Sequence, residues 1–150
     1  KALASIESIE RITGVQINTA LQKAEIYRMM GDYKQGISYL EKFKRNDDQN
    51  IVRELISLYY LDKNYTKVKE LSSSYLATFT RDKEVIRYLA LAEEKLMNYA
   101  NALSAMRELI AIEDNLDNEK ESFWQDEINT PKTKNAIVVF KIAFMVEFGL

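Results

Sequence analysis

Three short segments of this 150-residue chain recur in phase: Gly31-Asp32-Tyr33, Lys63-Asn64-Tyr65 and Met97-Asn98-Tyr99, spaced by 32 and then 34 residues. A period of that length marks stacked supersecondary units, because one unit cannot bury its apolar face alone. Three residues after each Tyr stands Gly36, Val68 or Ala102, where one helix must approach its neighbour closely. Seven further on stand Phe43, Tyr75 and Leu109. The series extends backwards to Ala2, Ile6 and Ile9, and forwards to Ala136, Phe140 and Ala143.

Between these points the apolar residues fall at helical spacing. Leu21, Ala24, Ile26-Tyr27 and Met30 form one such row. Val52, Leu55-Ile56 and Tyr59 form the next, and Val85-Ile86, Leu89, Leu91-Ala92 and Leu96 a third. Breaks are predicted at Gly31-Asp32, Asp47-Asp48, Asp62–Asn64, Arg81-Asp82, Met97-Asn98, Asp114–Asn118 and Asn129–Pro131. Asp, Asn and Thr suit these places because their side chains accept hydrogen bonds from unpaired first-turn amides.

Composition narrows the chemistry. The chain is 47% hydrophobic and 29% charged, the balance of a soluble folded domain, and 150 residues suggest one folding unit. It has no Cys and no His, which excludes disulfides, Cys/His zinc sites, Ser–His or Cys nucleophiles and a histidine pH switch. Four Gly and one Pro leave no phosphate-cradling loop. A net charge of −2 advertises neither nucleic acid nor an anionic membrane. No uninterrupted apolar run reaches the roughly 18 residues of a membrane span.

With these residues in place the sequence resembles a tetratricopeptide repeat array or a similar αα-solenoid. Residues 17–48 match through Ala24, Tyr27, Gly31-Asp32-Tyr33, Gly36, Leu40 and Phe43. Residues 49–82 match through Leu55, Tyr59, Tyr65, Val68 and Tyr75, and residues 83–116 through Leu89-Ala90, Tyr99, Ala102, Met106 and Leu109. Residues 1–16 resemble the second helix of a preceding repeat; residues 117–150 resemble a degenerate C-terminal repeat or cap. The family's Trp at the head of the first helix and its junction Pro are replaced. Lys23, Val68, Ser72 and Glu93 stand where leucine, alanine or an aromatic is usual. The resemblance implies an all-α, right-handed αα-superhelix of about nine helices, a segment of a longer protein.

It also implies that the first helix of each repeat lines a concave groove. The inward positions are then Leu21, Gln22, Glu25, Arg28 and Met29; Arg53, Glu54, Ser57, Tyr60 and Leu61; and Glu84, Arg87, Tyr88, Leu91 and Lys95. Arg28, Met29, Arg53, Ser57, Tyr60, Arg87, Tyr88 and Leu91 are the expected partner-binding residues, since Arg, Tyr and Met recur at hot spots and adaptable interfaces. One subclass of the family grips a C-terminal carboxylate with Lys, Asn and Arg. The matching positions here hold Leu21, Glu25, Glu54, Glu84 and Tyr88, which disfavours such a ligand.

Three other stretches stand out. Residues 113–127 carry seven acids against Lys120, suited to a solvated face or a basic partner. Asn135–Leu150, opened by Thr130 and Pro131, is apolar on nearly every side as a helix and needs a cover. Its Ile137, Phe140, Phe144 and Phe148 form an expected docking surface for a further repeat, a second copy or a partner. Asp62-Lys63-Asn64-Tyr65-Thr66 contains an N-glycosylation triplet, with the acid two residues earlier that some bacterial systems prefer.

Neighbouring acids such as Glu93-Glu94 do not make an enzyme, because consecutive helical residues point about 100° apart. The expected function is a non-enzymatic scaffold or adaptor that binds protein partners, with no cofactor or metal. Self-association through end faces, and a helical regulatory domain attached to an enzyme elsewhere in the polypeptide, are the alternatives. The residues leave the cytoplasm and the bacterial periplasm both open.

Overall fold

The structure, a computed structural model, describes residues 1–43, 48–79 and 81–112. Among these the fold is all-α, with seven helices and no strand. In chain order they are α1 (Ala2–Thr13), α2 (Ile17–Met30), α3 (Tyr33–Glu41), α4 (Gln49–Leu61), α5 (Tyr65–Thr78), α6 (Lys83–Lys95) and α7 (Tyr99–Ile112). The acidic run at 113–127, the C-terminal repeat and the surface of Ile137, Phe140, Phe144 and Phe148 lie outside the described residues. So do the further helices of the expected nine.

The helix ends follow from local chemistry. Asp48 Oδ1 accepts from the amides of Asn50 and Ile51 at 2.8 and 3.2 Å, and Asp82 Oδ1 does the same for Glu84 and Val85 at 3.1 and 3.3 Å. Each carboxylate satisfies orphan donors at a helix start. The three phased turns share one geometry. Asp32, Asn64 and Asn98 each donate a backbone N–H to the carbonyl five residues earlier, at Tyr27, Tyr59 and Glu93, over 2.8–2.9 Å. The residue between is left-handed in every case: Gly31 at φ 75°, Lys63 at 62° and Met97 at 61°. This is the closure that glycine favours; Lys63 and Met97 adopt it at a cost of about 1–2 kcal/mol.

The chain divides within α5 into two compact units, Lys1–Leu71 and one beginning at Ser72. In the first, α2 packs on α1, α3 and α4, and α3 packs on α4. Its core comprises Ala20, Ala24, Leu40, Ile51, Leu55, Ile56, Leu58 and Val68, all fully buried. Each large aliphatic among them contributes about 2 kcal/mol through removal from water. Gly36 marks a close approach. A Cβ there would lie 3.2 Å from Leu58 Cδ1 and 3.4 Å from Tyr27 Cβ. In the second unit Ile86 and Ala90 of α6 pack with Ala102, Leu103, Ala105, Met106 and Leu109 of α7. The three alanines let the two helices approach closely, and Leu76, Leu89, Tyr99 and Ile112 close the edges of the cluster.

Candidate protein-binding face

The first unit brings α2 and α4 together, and with them two of the expected inward rows. Arg28 is the hinge of this face. Its guanidinium bonds to Glu25 one turn earlier, and its Nε lies 3.6 Å from Glu54 Oε1 on α4. Burial pushes the Glu54 carboxyl above the usual carboxylate range; Arg28 opposes the shift and Glu25 adds to it. Glu54 Oε1 is itself buried without a hydrogen bond, so Arg28 answers it by charge alone. The result is a half-buried strip of alternating charge that spans α2 and α4. On the same two helices Met29 is 79% exposed and Leu61 38% exposed. Arg53 is exposed, while Tyr60 is half-buried and meets the Tyr65 ring edge-on at 5.6 Å.

Ser57 departs from expectation. It is only 6% exposed and presents no side chain to a partner. Glu25 and Leu91, at the equivalent places of α2 and α6, carry longer side chains and remain half-buried. In the second unit, α6 carries Glu84 and Arg87, paired at 3.0 Å one turn apart, with Tyr88 and Leu91 half-buried. Arg87 Nε is buried without a hydrogen-bond partner. An open depression of about 290 Å³ lies at the α6–α7 turn, lined by Met97 to Asn101.

Two polar groups at apolar positions prove to be internal anchors. Lys23 is 8% exposed. Its Nζ donates to Glu10 at 3.2 Å, lies 3.7 Å from Glu7, and sits 4.6 Å from the centre of the Tyr39 ring. The Tyr39 hydroxyl also donates to Glu10. That bond and Lys23 hold the Glu10 carboxyl below its ordinary range against the opposing effect of burial. Burial and the Glu10 charge push the Tyr39 phenol up. Glu93, 4% exposed, accepts from Asn98 Nδ2 at 2.7 Å and Asn101 Nδ2 at 3.4 Å, which ties α6 to α7. The sequence flags Lys23 and Glu93 as anomalies, but no periodicity reveals Glu10 and Tyr39 as partners.

The described residues hold no Cys and no His. Nor do they include a group of three acidic side chains placed to hold a metal ion. No described helix is long and apolar enough to cross a membrane. Comparison with protein-family models, curated proteins and solved structures returns no match.

Proposed function

We propose that this chain is a tetratricopeptide-like scaffold or adaptor whose first helices bind a partner protein segment, in a right-handed superhelix of about nine helices. The observation that carries this reading is the α2–α4 face. Arg28 joins Glu25 and Glu54 into a charged strip, and Met29 and Leu61 stand exposed on the same two helices. Charges already oriented in the free protein lose little entropy on binding, and methionine adapts its shape to the ligand. The partner segment lies along this strip, with specificity from the charges and contact area from Met29 and Leu61.

The test is affinity capture with wild-type bait and with a Met29→Glu/Arg53→Glu variant. Both side chains are exposed, and circular dichroism with thermal unfolding first checks that the two baits are equally folded. A partner retained by the wild type should be lost from the variant at least tenfold. Equal retention on both baits would remove the α2–α4 face from the mechanism. Tyr60 is a poorer probe, because its contact with Tyr65 ties it to the α4–α5 turn.

A second reading, self-assembly, is supported by Ile9, Ile12 and Val15, which are 47%, 84% and 50% exposed on and just after α1. It expects a mass that rises with concentration in sedimentation and returns to the monomer in Ile12→Lys. A concentration-independent monomer would eliminate it.

A further inference from the structure

We propose that Asn64 is an acceptor for an N-linked oligosaccharide in the folded chain. Asn64 heads the sole Asn-x-Ser/Thr triplet of the sequence, with Asp62 two residues before it. The triplet lies at the turn between α4 and α5, where Lys63, Asn64 and Thr66 are all exposed. Its backbone is firmly held. The Asn64 N–H donates to Tyr59 O at 2.9 Å, and its carbonyl accepts from Val68 at 3.1 Å. The half-buried middle residue, Tyr65, packs edge-on to Tyr60 and so leaves the two reactive positions clear.

The side-chain bonding suits the chemistry. Asn64 Oδ1 accepts from the Lys67 amide at 3.2 Å and caps α5. Neither Asn64 Nδ2 nor the Thr66 hydroxyl bonds to any group among the described residues. The donor nitrogen is therefore available while the acceptor oxygen does its structural task. In the transfer, Nδ2 forms a bond to the anomeric carbon of an oligosaccharide carried on a lipid pyrophosphate. The carbon–oxygen bond to the pyrophosphate breaks, the lipid pyrophosphate leaves with the electron pair, and one amide proton passes to a base of the transferase. The product remains an amide, so Oδ1 keeps its cap and the fold tolerates the glycan.

The experiment uses the purified, folded chain with a transferase of the class that prefers an acid at the second preceding position. The donor is a short oligosaccharide on a polyprenyl pyrophosphate, and intact mass is the readout. One glycan increment is expected on the wild type. Asn64→Asp should show none, yet melt at the same temperature, because a carboxylate preserves the cap but offers no nitrogen. Thr66→Ser should still accept and Thr66→Ala should not. No increment on the folded wild type, an increment only after denaturation, or an equal increment on Asn64→Asp would each overturn the proposal.

Discussion

Gly36 shows how a single side chain can decide a helix contact. The Leu58 methyl facing it belongs to a fully buried side chain, and the Tyr27 Cβ is fixed to its backbone. Neither can retreat far. Gly36→Leu should therefore destabilise the first unit by about 1–3 kcal/mol through overpacking, whatever it gains in helix propensity. Unchanged denaturant unfolding would mean that α3 and α4 part more easily than their packing implies. Met97 presents the opposite case. It is 74% exposed and sits at φ 61°, so its side chain contributes little and its backbone is strained. Met97→Gly should stabilise by about 1 kcal/mol, read as a higher melting temperature. A loss would show that the exposed methionine makes contacts worth more than the strain. The fully buried Ser72 stands where Leu40 and Met106 stand in the other pairs, and its Oγ has no hydrogen-bond partner.

At the level of elements, α1 depends on charge more than on apolar packing. Ile6 is its sole buried residue, while Lys23 and Glu10 lock it to α2 and Tyr39 joins it to α3. Lys23→Met should cost about 1–3 kcal/mol, because it leaves the Glu10 carboxylate with the Tyr39 hydroxyl alone and no opposite charge at hydrogen-bond distance. The loss is capped by the docking energy of α1, since detachment rehydrates Glu10. Lys23→Met/Glu10→Leu should recover most of it, and a double variant no better than the single would refute the lock. The pH dependence has a definite sign. The folded Glu10 carboxyl is held below its ordinary value of 4.5. Its stabilisation is thus fully present above that value and disappears as pH falls through the depressed one. Protection factors of the α1 amides, corrected for the intrinsic pH dependence of exchange, should fall on that acid limb, and Glu10→Gln should flatten the response. Equal acid sensitivity in both proteins would assign the effect to other carboxylates.

Across the described residues, stability is organised in local packets, because each of the two compact units holds a core of its own. Leu103, 1% exposed, belongs to the cluster between α6 and α7. Leu103→Ala should cost about 2–5 kcal/mol. Hydrogen exchange should reveal α6 and α7 losing protection while α2 and α3 keep theirs. Uniform loss along the chain would indicate a single cooperative transition instead. Much of the helix layout was legible beforehand. Helices end at Gly31-Asp32, Asp62–Asn64 and Met97-Asn98, where the recurring turn chemistry places breaks. The candidate face was legible only in part: the resemblance points to the rows that contain Arg28 and Glu54, but not to the ion pair between them.

The sequence by itself determined what depends on near neighbours. Capping by Asp48 and Asp82, the phased turns and the apolar rows all act within a few residues, where backbone geometry leaves little choice. Tertiary structure decided which polar groups meet. Tyr39 and Glu10 are 29 positions apart, and Tyr59 reaches Glu41 across 18. It also decided that Ser57 is covered while Met29 stands in solvent, although both are expected partner-binding residues. Helical spacing places a residue on a face. Side-chain length and the packing of the adjoining helix determine whether that face is open, and those depend on residues far away in the chain.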